Sequence, residues 1–327
     1  MKETINNTKT PIRFDLSIII PVHNGAKTLE RCLKSLLIKS EITQEIILVN
    51  DFSSDHSAEI ISNYVQKYPN IRLFNSSYNL GAGLARNIGL QQASGEYIGF
   101  VDCDDWVDFS LFATVIRIIK ETNADIAVFG VRDEYGNSFN SKARYIYTNQ
   151  ITFSTDAAMG LLSRNITNRD YISPMVCQKV YRREFLRKNE LMFTGNRHFE
   201  DDIFSYLCFI KKGSVTIVPS VEYHYMQYHF SVSHKMSKEY VEDFVKAFKY
   251  LRNELEEKKI FEQMQSSFFS YMDKCLSSFF KVLITEEQNV NEQKKYIFLL
   301  LSSLRKVISL EEAIEYIDLS RFQKFWS

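Results

Sequence analysis

The chain has 327 residues, and its 40 Lys+Arg balance 40 Asp+Glu, leaving no net charge. That argues against a broad basic face of the kind that neutralises nucleic-acid phosphates, and no apolar run reaches the ~20 residues of a membrane span. Five scattered cysteines, odd in number and without CxxC spacing, argue against a disulfide or zinc framework. Together with a polar N-terminus, MKETINNTKTPIRF, that lacks an apolar signal-like stretch, they predict a soluble protein of the cytoplasm with reduced thiols.

Residues 1–14 read as a flexible lead-in. Residues 16–22, LSIIIPV, form a β-branched run that predicts a buried strand ending in the turn signal Pro21-Val22-His23-Asn24-Gly25. Leu29, Cys32, Leu33, Leu36 and Leu37 then recur at helical spacing. A second strand, 46–49, runs into Asn50-Asp51-Phe52-Ser53-Ser54-Asp55, where Ser54 or Asp55 can cap a helix with the apolar face Ala58, Ile61, Tyr64 and Val65. A short strand at 71–74 leads through a Gly-containing turn to a helix over 82–92. The fourth strand, 97–101, ends in three carboxylates, Asp102, Asp104 and Asp105, beside Trp106. A helix over 109–120 and a strand over 125–131 follow, then a polar hairpin or loop at 132–150. Helical patterns near 155–164, 175–189 and 198–213 precede a strand-like segment at 215–234 rich in polar aromatics. From about 235 the chain reads as an amphipathic helical extension, whose apolar residues (Phe261, Met264, Phe268, Phe269, Met272) suit packed core first, with docking on a membrane surface or a partner as the alternative.

This βαβ alternation predicts an α/β fold with a doubly wound, mostly parallel sheet flanked by helices. Ligands of such sheets sit beyond the carboxyl ends of the strands. His23-Asn24, residues 51–55 and residues 102–105 all fall at those ends, so clusters distant in sequence share one rim. Packed carboxylates repel one another and resist desolvation. A divalent cation relieves both effects, and hard oxygens suit Mg²⁺ or Mn²⁺; the alternative is an acidic, solvated turn.

The ordered set SIIIPVHN, VNDFSSD, NLGAGLARNIGL, VDCDDW, QKVYRREFL, HFEDDIF and YHYMQYHFSVS resembles the family 2 inverting glycosyltransferases of GT-A fold, over roughly residues 16–234. The resemblance implies a nucleotide-sugar half at 15–131, an acceptor half at 132–234 and a helical extension at 235–327. It implies a UDP-sugar donor, a Mn²⁺ or Mg²⁺ cofactor, and transfer of a hexosyl or N-acetylhexosaminyl group to a glycan or glycolipid acceptor in bacterial surface-polysaccharide synthesis. Peripheral membrane association would run through the C-terminal helices.

Carried over by motif, Pro21 and Asn24 belong to the first donor loop, Asp51 reads the uracil edge, and Arg86 and Asn87 form the basic-polar pair of the nucleotide site. Asp102 is the ribose-side acid and Asp104 the metal-bound one, with Cys103 between them in the nucleotide site but without chemistry of its own. Asp201, the second acid of Glu200-Asp201-Asp202, falls at the catalytic base, although a helix start also favours such acids. The chain has Met226 where the family often has Arg after its tyrosine cluster. His224, or less directly His229, stands where some members place a further metal ligand. Lys179 fits an acceptor contact or a solvated helix face. Two other readings stay open: a sugar nucleotidyltransferase, which would want a Gly-rich basic loop where residues 21–27 have none, and a catalytically silent nucleotide-sugar-binding module, which would not need Asp102, Asp104 and Asp201 together.

Overall fold

The computed structural model describes residues 13–320 apart from 109, 136–140, 145, 155–171, 228–235, 288 and 319. The helical pattern near 155–164 and His229 therefore lie outside the described residues. Four strands, β1 (Phe14–Val22), β2 (Gln44–Asn50), β3 (Ile71–Asn75) and β4 (Gly95–Phe100), lie parallel in the order β3-β2-β1-β4. Their unbroken apolar runs have a direct cause. Side chains alternate between the two sheet faces: Ile18, Ile20, Ile46 and Leu48 enter one apolar core, while Ile19, Ile47 and Val49 enter the other.

Helices α1 (Leu29–Leu36), α2 (Ser57–Lys67) and α4 (Leu111–Thr122) cover the first face through Leu33, Ile61 and Val115. Helix α3 (Ala82–Gln92) covers the second through Ala85. A Cβ at Gly89 would fall 2.3 Å from Ile19 Cγ2, so this close helix–strand approach requires glycine there.

Beyond β4 the sheet becomes mixed. β9 (Lys179–Arg182) enters antiparallel between β4 and β6 (Ile126–Tyr135), and β10 (Ser214–Gln227) pairs parallel with β6. The two-residue β5 (Trp106–Val107) closes that edge against β10, while β7 (Ser141–Arg144) forms a hairpin with β6 and β8 (Thr152–Ser154) pairs with β10. The helix expected over 175–189 is instead a single 3₁₀ turn (Val176–Gln178), strand β9 and the short α5 (Arg183–Lys188). Val180 and Tyr181 are buried in opposite cores, a period-2 pattern too short to outweigh the helix formers that follow it.

Helix α6 (Glu200–Phe209) precedes β10, and α7 (Lys238–Glu257), α8 (Phe261–Glu286), α9 (Val290–Leu304) and α10 (Leu310–Tyr316) follow it. Ser237 caps α7, its hydroxyl accepting from Tyr240 N at 3.0 Å. Phe244, Phe268, Phe269 and Met272 are buried in the same core as Phe204 of α6 and Ile19 of β1, with Phe261 and Met264 partly buried against it. These apolar faces are therefore core rather than free surface. Among the described residues no helix is long and apolar enough to cross a membrane.

Candidate active site

The carboxyl ends of β1, β2 and β4 meet at one rim, where Asp51 N donates to Val22 O at 2.7 Å and Val101 N to Ile19 O at 3.1 Å. Pro21 is buried within β1 opposite Val49, so it shapes the rim without a polar contact. Asn24 adopts the left-handed region (φ 54°) and is fixed there: its Oδ1 accepts from Ser54 N at 2.8 Å, and its own N donates to Ser53 Oγ at 3.1 Å. Asp51, 2% exposed, accepts from Leu80 N and Gly81 N at 2.8 Å each and from Ser76 Oγ at 2.9 Å. The carboxylate thus builds the loop that enters α3, and only its remaining lone pair is left for a base edge.

The acids after β4 divide into two roles. Asp105 is buried, with Tyr223 OH donating to one oxygen at 2.7 Å and Met226 N to the other at 2.8 Å, so it ties β10 to the strand end. Asp102 and Asp104 stay partly exposed. Burial and then the neighbouring Asp102 charge push the Asp104 carboxyl up to about 6. Cys103 sits between them with Sγ 2.9 Å from where a Gly25 Cβ would lie, and burial raises its thiol, so it packs rather than reacts.

Arg86 joins this acid cluster to another more than a hundred residues away. Its guanidinium, 4% exposed, donates through Nη2 to Asp102 Oδ1 at 2.8 Å and through Nη1 to Asp201 Oδ1 at 2.9 Å, with Glu200 Oε1 at 3.5 Å. Both acids remain partly open, Asp102 at 30% and Asp201 at 23% exposure. The second Asp201 oxygen accepts from Val176 N at 3.1 Å. Burial raises the Asp201 carboxyl above its ordinary value, against the opposing pull of Arg86. No side chain caps α6: Phe199 holds the N-cap position (φ 64°), and Asp202 points to Tyr271 OH of α8. Asp243 of α7 accepts from Arg197 N at 3.0 Å and His198 N at 3.1 Å. The C-terminal helices thus brace the turn that presents Asp201.

Three expectations fare differently. The Asn87 amide braces the segment after α5: it donates to Phe193 O and accepts from Phe193 N, both at 2.9 Å, which leaves one N–H and one lone pair for other partners. His224 is held at one ring nitrogen only: its buried Nε2 has no hydrogen-bond partner among the described residues. Its ring stacks on Trp106 at 4.8 Å, Nδ1 lies 2.8 Å from Glu134 Oε1, and Nε2 lies 3.3 Å from Asp108 Oδ1. Trp106 is itself covered by the Arg31 guanidinium at 4.2 Å. Among the described residues the three metal-capable atoms within 4.8 Å of one another belong to Asp102, Asp105 and Cys177. Asp105 is committed at both oxygens and Cys177 is a buried thiol raised by desolvation, which leaves Asp102 and Asp104 as the hard, accessible donors.

Lys179 is neither an acceptor contact nor a solvated residue. It is fully buried, and its ammonium donates to Ser173 O at 2.6 Å and Met175 O at 2.7 Å, holding the turn from which Val176 N reaches Asp201. Only a Lys amid apolar neighbours hints at this in the sequence, and that pattern is also common on surfaces. Burial lowers its pKa from 10.5 to about 8. A folded-state pKa below the unfolded one means that unfolding takes up a proton between those values. Stability linked to Lys179 is therefore full above about 10.5 and lost as pH falls through about 8. Denaturant unfolding of the wild type should gain stability from pH 8 to 10, relative to Lys179→Met; parallel profiles would show that Lys179 is not the titrating group.

The sequence matches the family model described as Glycosyl transferase family 2 over residues 17–189, just over half of the chain. It is 34% identical over 195 residues to the uncharacterized glycosyltransferase YibD of Escherichia coli (strain K12), covering 58% of this chain and 55% of that one. The chain spans about half the length of the curated relatives it matches. Among solved structures, S. aureus TarS 1-349 in complex with UDP-GlcNAc superposes with TM-score 0.69 at 19% identity, over 90% of this chain and 82% of that one. GalNAc-T7 with UDP, GalNAc and Mn²⁺ superposes with TM-score 0.58 at 18% identity, over 93% and 58%. At those identities the structural likeness speaks to the fold, whereas the family match rests on the rim-forming sequence itself. With its parallel strand ends, its paired acids and a family match over most of its sheet, the chain belongs to glycosyl transferase family 2.

Proposed function

We propose that the protein is an inverting, metal-dependent glycosyltransferase. It would move a sugar from a UDP-sugar to a hydroxyl of a glycan or glycolipid acceptor in the synthesis of a surface polysaccharide. The observation that carries this reading is Arg86, which holds Asp102 at a strand end and Asp201 at a helix start on one guanidinium. Two partly open carboxylates with different tasks therefore border the same space. The UDP-GlcNAc and Mn²⁺ named with the two structural neighbours support the donor and cofactor classes. The organisation that follows is a donor half at about 15–131, an acceptor half at about 132–234, and helices beyond 235 that brace the base-bearing turn.

Asp102 and Asp104 fit Mn²⁺ or Mg²⁺: they are hard, adjacent and mutually repulsive, and such ions bind through one or two carboxylates plus substrate phosphates. When bound, the ion would neutralise charge developing on the departing diphosphate. The chain's own residues do the rest. The loop fixed by Asp51 and the strained Asn24 turn bound the nucleotide side. Asp201, its oxygens oriented by Arg86 and Val176 N, accepts the acceptor hydroxyl proton as that oxygen attacks the anomeric carbon. One base and one displacement invert the anomeric centre.

The test is calorimetric titration of UDP with and without Mn²⁺, together with UDP release from a panel of UDP-sugars. Wild type should bind UDP more tightly with Mn²⁺, and Asp104→Ala should lose that metal-dependent gain while still folding. Equal UDP affinity with and without Mn²⁺ in the wild type would overturn the metal-dependent reading.

A further inference from the structure

We propose that the outward face of α9 docks the protein on an anionic lipid surface. This goes beyond the transfer reaction and does not depend on it. Six of the thirteen large apolar side chains exposed among the described residues lie between positions 284 and 314, so solvent-facing apolar surface is concentrated on the last helices. Within that stretch α9 has two distinct sides. Ile297, Leu300 and Leu304 point inward and are 0–5% exposed. Lys294, Phe298, Leu301 and Arg305 follow one another along the outer side at three- and four-residue steps, with Lys295 beside them. Phe298 is 66% and Leu301 37% exposed.

Two apolar side chains among three cations, on a chain with no net charge, form a local basic-apolar stripe. Glu292, one turn before it, pairs with Lys295 at 3.1 Å, an exposed contact of little strength that an anionic surface can replace. An anionic bilayer matches both halves of the stripe: the rings and methyls enter the headgroup boundary, while the long cationic stems reach the phosphates. A second copy of the chain matches it poorly. A two-fold interface brings the same patch against itself, and here that would oppose three cations with three cations.

The experiment is sedimentation of the full chain with vesicles of phosphatidylcholine alone and of phosphatidylcholine mixed with phosphatidylglycerol. Binding is expected only to the mixed vesicles and only at low salt, since screening removes the attraction. The combined variant Lys294→Glu, Lys295→Glu, Arg305→Glu should lose on the order of a hundredfold in affinity or more. Phe298→Ser with Leu301→Ser should also bind more weakly, with at most a small loss of thermal stability because Phe298 is mostly exposed and Leu301 partly so. Absence of binding to the mixed vesicles at low salt, or wild-type binding by either variant, would overturn the proposal. So would self-association of the lipid-free protein that the Phe298→Ser, Leu301→Ser variant abolishes, because the stripe would then serve a second copy.

Discussion

Replacing Asp201 by Asn is expected to lower the transfer rate by ~10²–10⁴-fold, the range typical of a lost general base. The amide is nearly isosteric and still offers a carbonyl oxygen to Arg86 Nη1, but it has no negative charge with which to accept the acceptor proton. Its other end meets Val176 N as a second donor, so one hydrogen bond of about 1 kcal/mol is lost and the fold should survive. UDP affinity, measured with Mn²⁺ present, should stay at the wild-type value if Asp201 serves the acceptor as proposed. A variant that transfers at the wild-type rate would remove the base assignment. Lost UDP affinity alongside lost transfer would mean instead that Asp201 builds the donor site. The raised Asp201 carboxyl also sets the sign of the pH dependence: activity should fall on the acid side as that group protonates, at a pH above the ordinary aspartate value.

Replacing Arg86 by Met is expected to destabilise the fold by about 3–5 kcal/mol, the usual consequence of stripping one partner from a buried ion pair. The guanidinium is nearly buried and serves Asp102 and Asp201 through separate nitrogens, so its removal leaves two carboxylates facing each other without compensation. Arg86→Lys should recover little of this, because a single ammonium cannot span both acids as the planar fork does. Urea unfolding at neutral pH checks the magnitude. The difference between variant and wild type should shrink in acid, where the uncompensated carboxylates protonate. Wild-type stability for Arg86→Met at pH 7 would show that the bridge contributes little.

Much of this site follows from strand logic. A continuous apolar run such as 16–22 or 97–101 is tolerated only where both sheet faces are covered, and the first polar residues after it must emerge at the rim. That reasoning puts Asn24, Asp51 and Asp102 at one edge, where the structure also places them. The helix-period pattern likewise anticipated α1 to α4 and the packed faces of α8. Residue chemistry alone was a poorer guide to partners. Asn87 and His224 were placed at the ligand site by the family resemblance, which carries a role but not the contacts of this chain. In the structure Phe193 engages one donor and one acceptor of the Asn87 amide, while Glu134 and Trp106 hold the His224 ring and its Nε2 has no hydrogen-bond partner among the described residues. Lys179 was read as an acceptor contact or a solvated helix face because a four-residue strand between two others has no local signature that separates it from a helix start.

The order of buried strands, the polar residues at their ends and the family to which they belong were determined by the amino-acid sequence itself, since burial on two faces writes a local and readable pattern. Which acid meets which cation was decided only by the tertiary structure. Arg86 and Asp201 stand 115 residues apart, on α3 and α6. Their contact depends on how closely the Gly89 helix lies on β1 and on how α7 and α8 brace the turn before α6. Coulombic partnership depends on distance in space, and no periodicity along the chain encodes that distance.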